Sequence, residues 1–533
     1  MPRFTVDGVE VEAEEGRTIL QALDDAGLLM NGVDVPHYCW HPKLSIDGSC
    51  RLCQVEVEGM PKLQIACNTP VKDGMVVRTR NERVKDAREG VMKLLLINHP
   101  LDCPICDQAG ECKLQDYAFE YGVSEARTRE PRRALKKNVD LGPTIVFDQE
   151  RCILCRRCVR FCDEVPGTRE LAVLNRGDHS VIETFPGVPL DNDYSMNVAD
   201  ICPVGALTTK DFRFKIRVWF LEDVPEVCTG CARGCNVDAG VANNKVYRYV
   251  PRRNDAVNDT WMCDAGRMSY KRIGAPDRLK QPLVRGELSV PEVASYADAL
   301  ASAAERLRRL VDAKGAGVVA AIASPHATNE DLFVLRRFLA ALGTENAGIA
   351  LVTGASDDIL LHAEKAPNAR GAREIGFGEA QPVLDRIRGG GVDGLLVLGS
   401  DLLHEQMLGG TAPLAGLDSV IVLDSHVSAL GQVAHVQLPT RMVGEKRGTL
   451  TNAFGHVQRV VPAVEPRWEA YSEGDVLARL GALLGLPGFE GAERGWDVLQ
   501  MSKALASTVP GFAGRDLDSV GDGGLPLRSA EGA

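Results

Sequence analysis

The chain has 533 residues, of which 45% are hydrophobic and 25% are charged, a composition that fits several soluble globular domains and excludes general disorder. Its net charge of −12 makes binding to nucleic acid or to anionic lipid unfavourable. No apolar run approaches the roughly 20 residues of a membrane-spanning helix, and the amino terminus lacks a secretion pattern, so we expect the protein to stay where it is made.

The first 80 residues are predicted to form a small β-rich domain. Alternating apolar and polar residues around Asp7-Gly8 predict a tight hairpin, and Thr18 with Gln21 forms a capping-box pattern before a helix that ends near Gly27. Further strands are predicted at 53–58, 63–66 and 75–80, and a helix at 83–98. This order indicates a ferredoxin-like β-grasp fold.

The rest of the chain changes character near residue 285. Residues 103–261 are rich in glycine and proline and have few apolar runs, so bound groups would have to replace a large core. Beyond them, helices alternate with apolar strands, which predicts an α/β domain with a mostly parallel sheet. The helices are expected at 296–313, 332–342 and 380–387, and the strands at 318–323, 395–401 and 419–425. The tail after Gly514 is predicted to be mobile.

The cysteines are the most informative residues of the sequence. All sixteen lie between Cys39 and Cys263, with many two-residue gaps. In a chain that is not secreted, this clustering predicts metal ligation rather than disulfides.

The first two ligand sets differ in whether a histidine takes part. A close cysteine pair with two more distant cysteines matches the plant-type arrangement that holds a 2Fe-2S cluster, and this set is Cys39, Cys50, Cys53 and Cys67. Three later cysteines lack a nearby fourth thiol, but a histidine stands just ahead of them. We assign a 4Fe-4S cluster to the set His99, Cys103, Cys106 and Cys112.

The third and fourth sets each combine three local cysteines with one remote cysteine. The third ends in a Cys-Pro pair, as in bacterial ferredoxins, and consists of Cys152, Cys155, Cys158 and Cys202. The fourth consists of Cys228, Cys231, Cys235 and Cys263. Both predict 4Fe-4S clusters. This assignment leaves Cys162 free, whereas a competing count uses all sixteen cysteines and no histidine.

Structural zinc is the alternative explanation of these cysteines. Zinc sites more often use two separated pairs, so triplets with a remote fourth ligand favour iron–sulfur clusters. Four clusters without a substrate-binding motif between them indicate electron conduction.

The second half of the sequence has no motif that indicates a catalytic or cofactor-binding site. Gly389, Gly391 and Gly394 match a dinucleotide fingerprint but lie between a helix and a strand, the reverse of the required order, and are predicted to be a helix-ending loop. No phosphate-binding loop or catalytic triad is found, and no cysteine follows Cys263. A cysteine-ligated molybdenum or a hydrogen-activating iron cluster is therefore not expected there.

The order of the ligand sets, with HPLDCPICDQAGEC and CILCRRCVRFC, closely resembles the large iron–sulfur subunits of complex I type NADH-quinone oxidoreductases. In the back half, DRLKQPLVR at Asp277, HVQLPT at His435 and GTLTNAFGHVQR at Gly448 resemble the core of molybdopterin oxidoreductases. The resemblance implies an α+β multidomain fold with the following domains: a 2Fe-2S ferredoxin-like domain at 1–80, a segment with one His and three Cys ligands at 81–120, a ferredoxin-type 4Fe-4S domain at 121–220, a molybdopterin-oxidoreductase-type 4Fe-4S domain at 221–277, and a truncated α/β domain at 278–533.

The same resemblance implies a function. Electrons from NADH would reach a flavin on a partner subunit, enter this chain at the first set, and pass through the third and then the second set toward quinone. The implied cofactors are one 2Fe-2S cluster and three 4Fe-4S clusters, without molybdenum and without a catalytic residue on this chain. The implied partners are the flavin- and iron-sulfur-bearing NADH dehydrogenase subunits and the quinone-proximal subunits of one complex.

We therefore expect a peripheral protein on the cytoplasmic side of the inner membrane that contacts the membrane only through its partners. Two alternatives remain open at this point. The first is a subunit of an NAD-linked molybdopterin formate dehydrogenase, which would contain molybdenum. The second is a zinc-stapled interaction scaffold, which would be free of iron.

Overall fold

A computed structural model describes residues 1–29, 33, 35–123, 125, 128–286 and 290–528 of the chain. The chain divides into two compact units, Met1–Leu221 and Glu222–Ala533. Within the described ranges, no helix combines the length and the apolar character needed to cross a membrane.

The first unit begins with the predicted β-grasp domain. Its sheet has the order β2-β1-β5-β3-β4, in which β1 and β5 are parallel and the other pairs are antiparallel. Asp7 and Gly8 have positive φ angles of 49° and 88°, as a primed hairpin turn requires, and the Thr18–Gln21 capping box is present. The elements are β1 (Arg3–Val6), β2 (Val9–Glu12), α1 (Ile19–Asp25), β3 (Gln54–Val57), β4 (Gln64–Ile65), β5 (Val76–Arg78) and α2 (Glu82–Leu96).

The remainder of the first unit consists of short elements joined by loops, as the sequence predicts. Three strands form an antiparallel sheet in the order β10-β7-β6, and β8 pairs with β9. The elements are α3 (Lys113–Tyr121), β6 (Val139–Asp140), β7 (Ile145–Phe147), α4 (Arg157–Glu164), β8 (Leu171–Leu174), β9 (Val181–Thr184), α5 (Asn197–Asp200) and β10 (Leu207–Thr209).

The second unit begins with a three-stranded antiparallel meander. It comprises β11 (Glu222–Val227), β12 (Asn236–Ala242) and β13 (Lys245–Pro251), and is followed by α6 (Asp264–Met268). Val237, Ala239 and Tyr249 of this sheet pack into one small core together with Cys228 and Cys235.

An eight-stranded sheet dominates the rest of the second unit. Its order is β15-β14-β21-β20-β19-β16-β17-β18, and the strands from β21 to β18 run parallel. The prediction of an α/β domain is confirmed. The elements are β14 (Leu283–Arg285), β15 (Pro291–Val293), α7 (Tyr296–Lys314), β16 (Val319–Ala323), α8 (Asn329–Leu342), β17 (Ala347–Ile349), α9 (Ala369–Ile375), β18 (Gly378–Glu379), α10 (Gln381–Arg388), β19 (Gly394–Leu398), β20 (Ser419–Asp424), β21 (Val436–Pro439), β22 (Gly448–Thr451), β23 (His456–Val460), α11 (Glu473–Leu484), α12 (Val498–Thr508) and β24 (Leu525–Pro526).

Two loop predictions have different outcomes. Gly389 and Gly391 lie between α10 and β19, and Gly394 begins β19, which confirms a helix-ending loop. The prediction of a mobile tail after Gly514 is wrong for 515–528. In that segment Val520 is fully buried, and β24 pairs with β23. Burial of Leu517 and Val520 and the hydrogen bond from the backbone N–H of Leu517 to Ser502 attach the segment to the core despite its glycine and aspartate content.

A buried charge network joins α8 to α11 in the second unit. Lys446 is 4% exposed, and its Nζ lies 2.8 Å from Oδ2 of Asp331 and also contacts Glu473. Oδ1 of Asp331 accepts a hydrogen bond from the backbone N–H of Gly474, at the start of α11. Burial raises the pKa of Glu473 to about 7, so the carboxylates depend on the lysine for compensation.

We therefore predict that Lys446→Met destabilises this part of the second unit. Removing the cation leaves buried carboxylates uncompensated, which costs about 3–5 kcal/mol. Amide hydrogen exchange in α8 and α11 measures the opening free energy. Lys503→Met is the matched control, because Lys503 is exposed and pairs with Asp518 at the surface. Equal exchange in the two variants would contradict the prediction.

Candidate metal centres

The first ligand set lies in the core of the β-grasp domain. Cys39 and Cys50 lie in the segment between α1 and β3, Cys53 immediately precedes β3, and Cys67 follows β4. Cys39, Cys53 and Cys67 are buried and Cys50 is half-buried. The thiols interact in two pairs, Cys39 with Cys50 and Cys53 with Cys67. The first pairing lowers the pKa of Cys39 and raises that of Cys50, and Cys39 also raises the pKa of Cys53, so the two pairs lie near each other.

The second ligand set surrounds one cavity of about 580 Å³. His99 lies just beyond α2, Cys103 and Cys106 flank a single helical turn, and Cys112 precedes α3. All four line the cavity. Burial and the charge of Arg151 lower the pKa of His99 to about 4. The imidazole is therefore neutral at pH 7, which is the state that binds a metal.

The wall of this cavity includes residues next to the third set. Arg151 precedes Cys152 in the chain, yet its guanidinium lines the second cavity and donates to Asp102 at 3.0 Å. Gly205 lies three residues after Cys202, and a Cβ built on it would be 2.1 Å from Sγ of Cys106. A glycine is required here because any side chain would displace this sulfur.

The third ligand set closes around a second, much smaller cavity. Cys152, Cys155, Cys158 and Cys202 all line it. The loop that carries the first two adopts left-handed backbone at Leu154 (φ 52°) and Arg156 (φ 58°), which turns successive thiols inward. The backbone N–H of Leu154 donates to Sγ of Cys152 at 3.4 Å.

Burial, together with the neighbouring thiols, disfavours the charged form of the thiols of the third set. It raises the pKa of Cys155 to about 11 and that of Cys158 well above its ordinary value. Thiolates in this environment need a compensating positive charge. Bound iron would supply such a charge, because a coordinating thiol is deprotonated by its metal.

Cys162 occupies a different position from these four. It lies on α4, is fully buried, and is not among the described residues that line the third cavity. Its backbone carbonyl accepts hydrogen bonds from the N–H groups of Thr168 and Arg169. Burial and the neighbouring Glu170 raise the pKa of its thiol to about 12.

The fourth ligand set lies at one end of the meander in the second unit. Cys228 follows β11, Cys235 precedes β12, and Cys263 caps the amino terminus of α6. All four members, including Cys231, are buried. A Cβ on Gly266 would lie 2.9 Å from Sγ of Cys228 and 3.2 Å from Sγ of Cys263, so a glycine again makes room for two sulfurs.

The spacing within the sets bears on the zinc alternative. A tetrahedral zinc site needs four donors within about 2.3 Å of one point. Among the residues that the structure describes, no group of three or more His, Cys, Asp or Glu side chains is arranged to hold a single metal ion. A polynuclear cluster spreads its ligands over several irons and so does not require four donors around one point.

Sequence reasoning missed the residues that shape these sites. Arg151 and Arg157 stand next to ligand cysteines, and Gly205 and Gly266 each follow a remote ligand in a Cys-x-x-Gly pattern. That repeated pattern was the available signal for the glycines. The roles of the arginines depend on side-chain direction, which spacing does not reveal.

Family models match almost every part of the first unit and two parts of the second. The matches are a 2Fe-2S iron-sulfur cluster binding domain at 2–82, an NADH-ubiquinone oxidoreductase-G iron-sulfur binding region at 88–127, an NADH-quinone oxidoreductase subunit 3 ferredoxin-like domain at 142–208, a molybdopterin oxidoreductase Fe4S4 domain at 222–274 and a molybdopterin oxidoreductase domain at 352–482. With the geometry above, they define a multidomain iron–sulfur protein whose second unit is of the molybdopterin oxidoreductase type.

Curated relatives give a narrower assignment. The NADH-quinone oxidoreductase G subunit of Rickettsia conorii is 40% identical over 349 residues, which are 66% of this chain and 50% of the relative. The mitochondrial NADH dehydrogenase [ubiquinone] iron-sulfur protein 1 of Solanum tuberosum is 40% identical over 341 residues, 64% of this chain and 45% of the relative. The chain is thus a homologue of the G subunits of NADH-quinone oxidoreductases. It spans about half the length of the curated relatives that it matches.

Other relatives belong to different enzymes. The NADPH-Fe(3+) oxidoreductase subunit alpha of Geobacter sulfurreducens is 38% identical over 347 residues, 65% of this chain and 40% of the relative. Among solved structures, a chain of an NAD+-reducing [NiFe]-hydrogenase has 30% identity and a TM-score of 0.37, covering 41% of this chain and 91% of the other. Acetylene hydratase from Pelobacter acetylenicus has 12% identity and a TM-score of 0.41, covering 50% and 70%.

We predict that Gly205→Ala removes the centre at the second set and spares the others. The new methyl group would overlap Sγ of Cys106, so this thiol has to leave its position. The purified protein should lose about four irons and one cubane signal in low-temperature EPR of the reduced state.

Gly90→Ala is the matched control for this substitution. Gly90 lies within α2, and its added Cβ would meet no atom within 4 Å. The alanine should keep every signal, since it favours a helix over glycine. An unchanged iron content in Gly205→Ala would show that the second cavity tolerates a side chain where the structure leaves no room.

Proposed function

We propose that the chain is the iron–sulfur electron-transfer subunit of a complex I type NADH-quinone oxidoreductase, relaying electrons from a flavin-bearing subunit toward quinone. The observation that carries the proposal is the convergence of His99 with Cys103, Cys106 and Cys112 on one cavity, next to a ferredoxin-type set. The NADH-quinone oxidoreductase relatives support the same function.

The proposed ligands follow the four sets. A 2Fe-2S cluster is assigned to Cys39, Cys50, Cys53 and Cys67. Three 4Fe-4S clusters are assigned to the sets that begin at His99, Cys152 and Cys228. When bound, these clusters supply one-electron transfer, and the chain contributes their ligands, their spacing and the charges around them.

The first three sets are linked by direct contacts within the first unit. Sγ of Cys112 in the second set lies 3.9 Å from the backbone carbonyl of Pro203, the neighbour of Cys202 in the third set. Arg157 lines the third cavity and donates to the carbonyl of Trp40, the neighbour of Cys39 in the first set. This order supports entry at the first set and exit at the second.

The proposed partners are the NADH dehydrogenase subunits that carry flavin and iron–sulfur clusters, together with the quinone-proximal subunits. Exposed apolar side chains near the second set, Leu101 (80% exposed), Ile105 (61%) and Phe119 (91%), support burial of this region by a partner. The complex would place the chain on the cytoplasmic side of the inner membrane, with membrane contact only through its partners.

The second candidate is a subunit of an NAD-linked molybdopterin formate dehydrogenase. The molybdopterin oxidoreductase match in the second unit is the observation that favours it. Against it, no cysteine follows Cys263 to ligate molybdenum. We therefore expect no molybdenum and no active site on this chain.

Metal analysis of the intact purified complex decides between these functions. Iron, sulfide, zinc and molybdenum are measured together with low-temperature EPR of the reduced form. We predict about 14 irons on this chain, beyond those of its partners, and no molybdenum. One molybdenum per chain would establish the second candidate. A folded, colourless protein that contains zinc would establish the zinc-stapled interaction scaffold.

Paired substitutions test the ligand count. His99→Ala should remove or alter one cubane signal, because it removes the only non-thiol ligand of the proposed sets. Cys162→Ser should leave every signal intact, since Cys162 lies outside the third cavity. EPR of both variants is compared with that of the unmodified chain. The reverse result would assign Cys162 as the ligand and His99 as a bystander.

A further inference from the structure

Arg157 connects the backbones of two ligand sets in the first unit. It begins α4, and its Nη1 donates to the carbonyl of Ile201 at 3.2 Å, next to Cys202 of the third set. Its Nη2 donates to the carbonyl of Trp40, next to Cys39 of the first set. A single planar guanidinium therefore fixes both sets relative to each other.

The charge of Arg157 has no carboxylate partner among the described residues. Its neighbour Arg156 pairs with Asp47, and Arg169 pairs with Asp163. The electrostatic partners of Arg157 are instead ligand thiols of both sets, Cys155, Cys202, Cys39 and Cys50. The ligand sets themselves therefore supply the negative charge that balances Arg157.

One donor of Arg157 is left without an acceptor. Its Nε is inaccessible to solvent and finds no hydrogen-bond partner in the described part of the chain. The side chain lines the third cavity together with all four ligands of that set. Buried donors are nearly always satisfied, so an N–H in this wall points to an acceptor in the cavity. Cluster sulfur is an acceptor of the required kind.

We propose that Arg157 is a positioning residue that raises the reduction potentials of the first and third centres together. It acts as a fixed positive charge for both and as an N–H donor to sulfur at the third. Reduction adds one negative charge to a centre, and a nearby cation stabilises that state. This inference rests on the proposed function, since it requires iron–sulfur clusters at both sets.

A redox titration followed by EPR tests the proposal. It uses the full chain, purified from cells with the clusters that the cell has inserted. Arg157→Gln should lower the midpoint potentials of both the binuclear and the third-set centre. We expect at least a tenfold shift in each reduction equilibrium, about 59 mV for one electron. The other two centres should keep their potentials.

Arg169→Gln is the matched control, because it removes the same charge from an exposed arginine that is already paired with Asp163. It should leave all potentials unchanged. Intact centres with unchanged potentials in Arg157→Gln would overturn the proposal. A shift in the potential of the third-set centre alone would overturn the proposed effect of Arg157 on the first centre.

A second measurement remains decisive if Arg157→Gln loses its centres. In the unmodified chain, arginine labelled with ¹⁵N in the guanidino group should give a weak hyperfine coupling to the reduced third centre in pulsed EPR. Arg157→Lys, which keeps the charge, should lose this coupling but hold both potentials closer to those of the unmodified chain. Absence of the coupling would overturn the hydrogen bond.

These outcomes separate the inference from the function on which it rests. An unmodified chain without iron–sulfur signals would contradict the proposed function. Normal signals whose potentials do not change when Arg157 is substituted would contradict the inference but not the proposed function.

Discussion

The cost of holding thiolates out of water governs the architecture of the first unit. The ligand thiols are mostly buried, and burial raises the pKa values of Cys106, Cys112 and Cys155. An unpaired buried thiolate is unfavourable, so each set is stable in its ligating form only when a cation is present. Buried apolar residues surround the first and third sets, and bound clusters would supply the cations that these sets need. Cofactor loading would therefore stabilise the folded form of this unit.

Arginines and glycines shape the sites whose ligands are the cysteines. Arg151 and Arg157 each adjoin a ligand of the third set and extend toward another set, so one residue influences two sites. Gly205 and Gly266 lie against ligand sulfurs where a methyl group would collide. Positive charge stabilises the sulfur-rich pockets, and the absence of a side chain gives the sulfurs room. Both requirements arise from packing several anionic groups into a small volume.

Sequence patterns predicted much of this fold because the signals were local. The Asp7-Gly8 turn, the Thr18 capping box and the alternating elements of the second unit depend on residues close together in the chain. The prediction of a mobile tail after Gly514 is wrong because the composition of the tail is that of a loop, whereas its order depends on contacts of Leu517 and Val520 with a core that is distant in sequence. The cavity that joins His99 to three cysteines was anticipated from spacing. The guanidinium groups in its surroundings were not, since long side chains can extend in several directions.

Polar side chains meet at the carboxyl edge of the large sheet in the second unit. In the strand order, β16 and β19 are neighbours from which the chain proceeds in opposite directions, and ligands of open α/β sheets bind at such points. Here Ser324 follows β16 and donates a hydrogen bond to Asp401, which follows β19. Nδ1 of His326 lies 3.3 Å from the same carboxylate. These polar groups hydrogen-bond to one another between the two neighbouring strands. At this switch point of the second unit, the polar side chains at the ends of β16 and β19 are therefore engaged with each other.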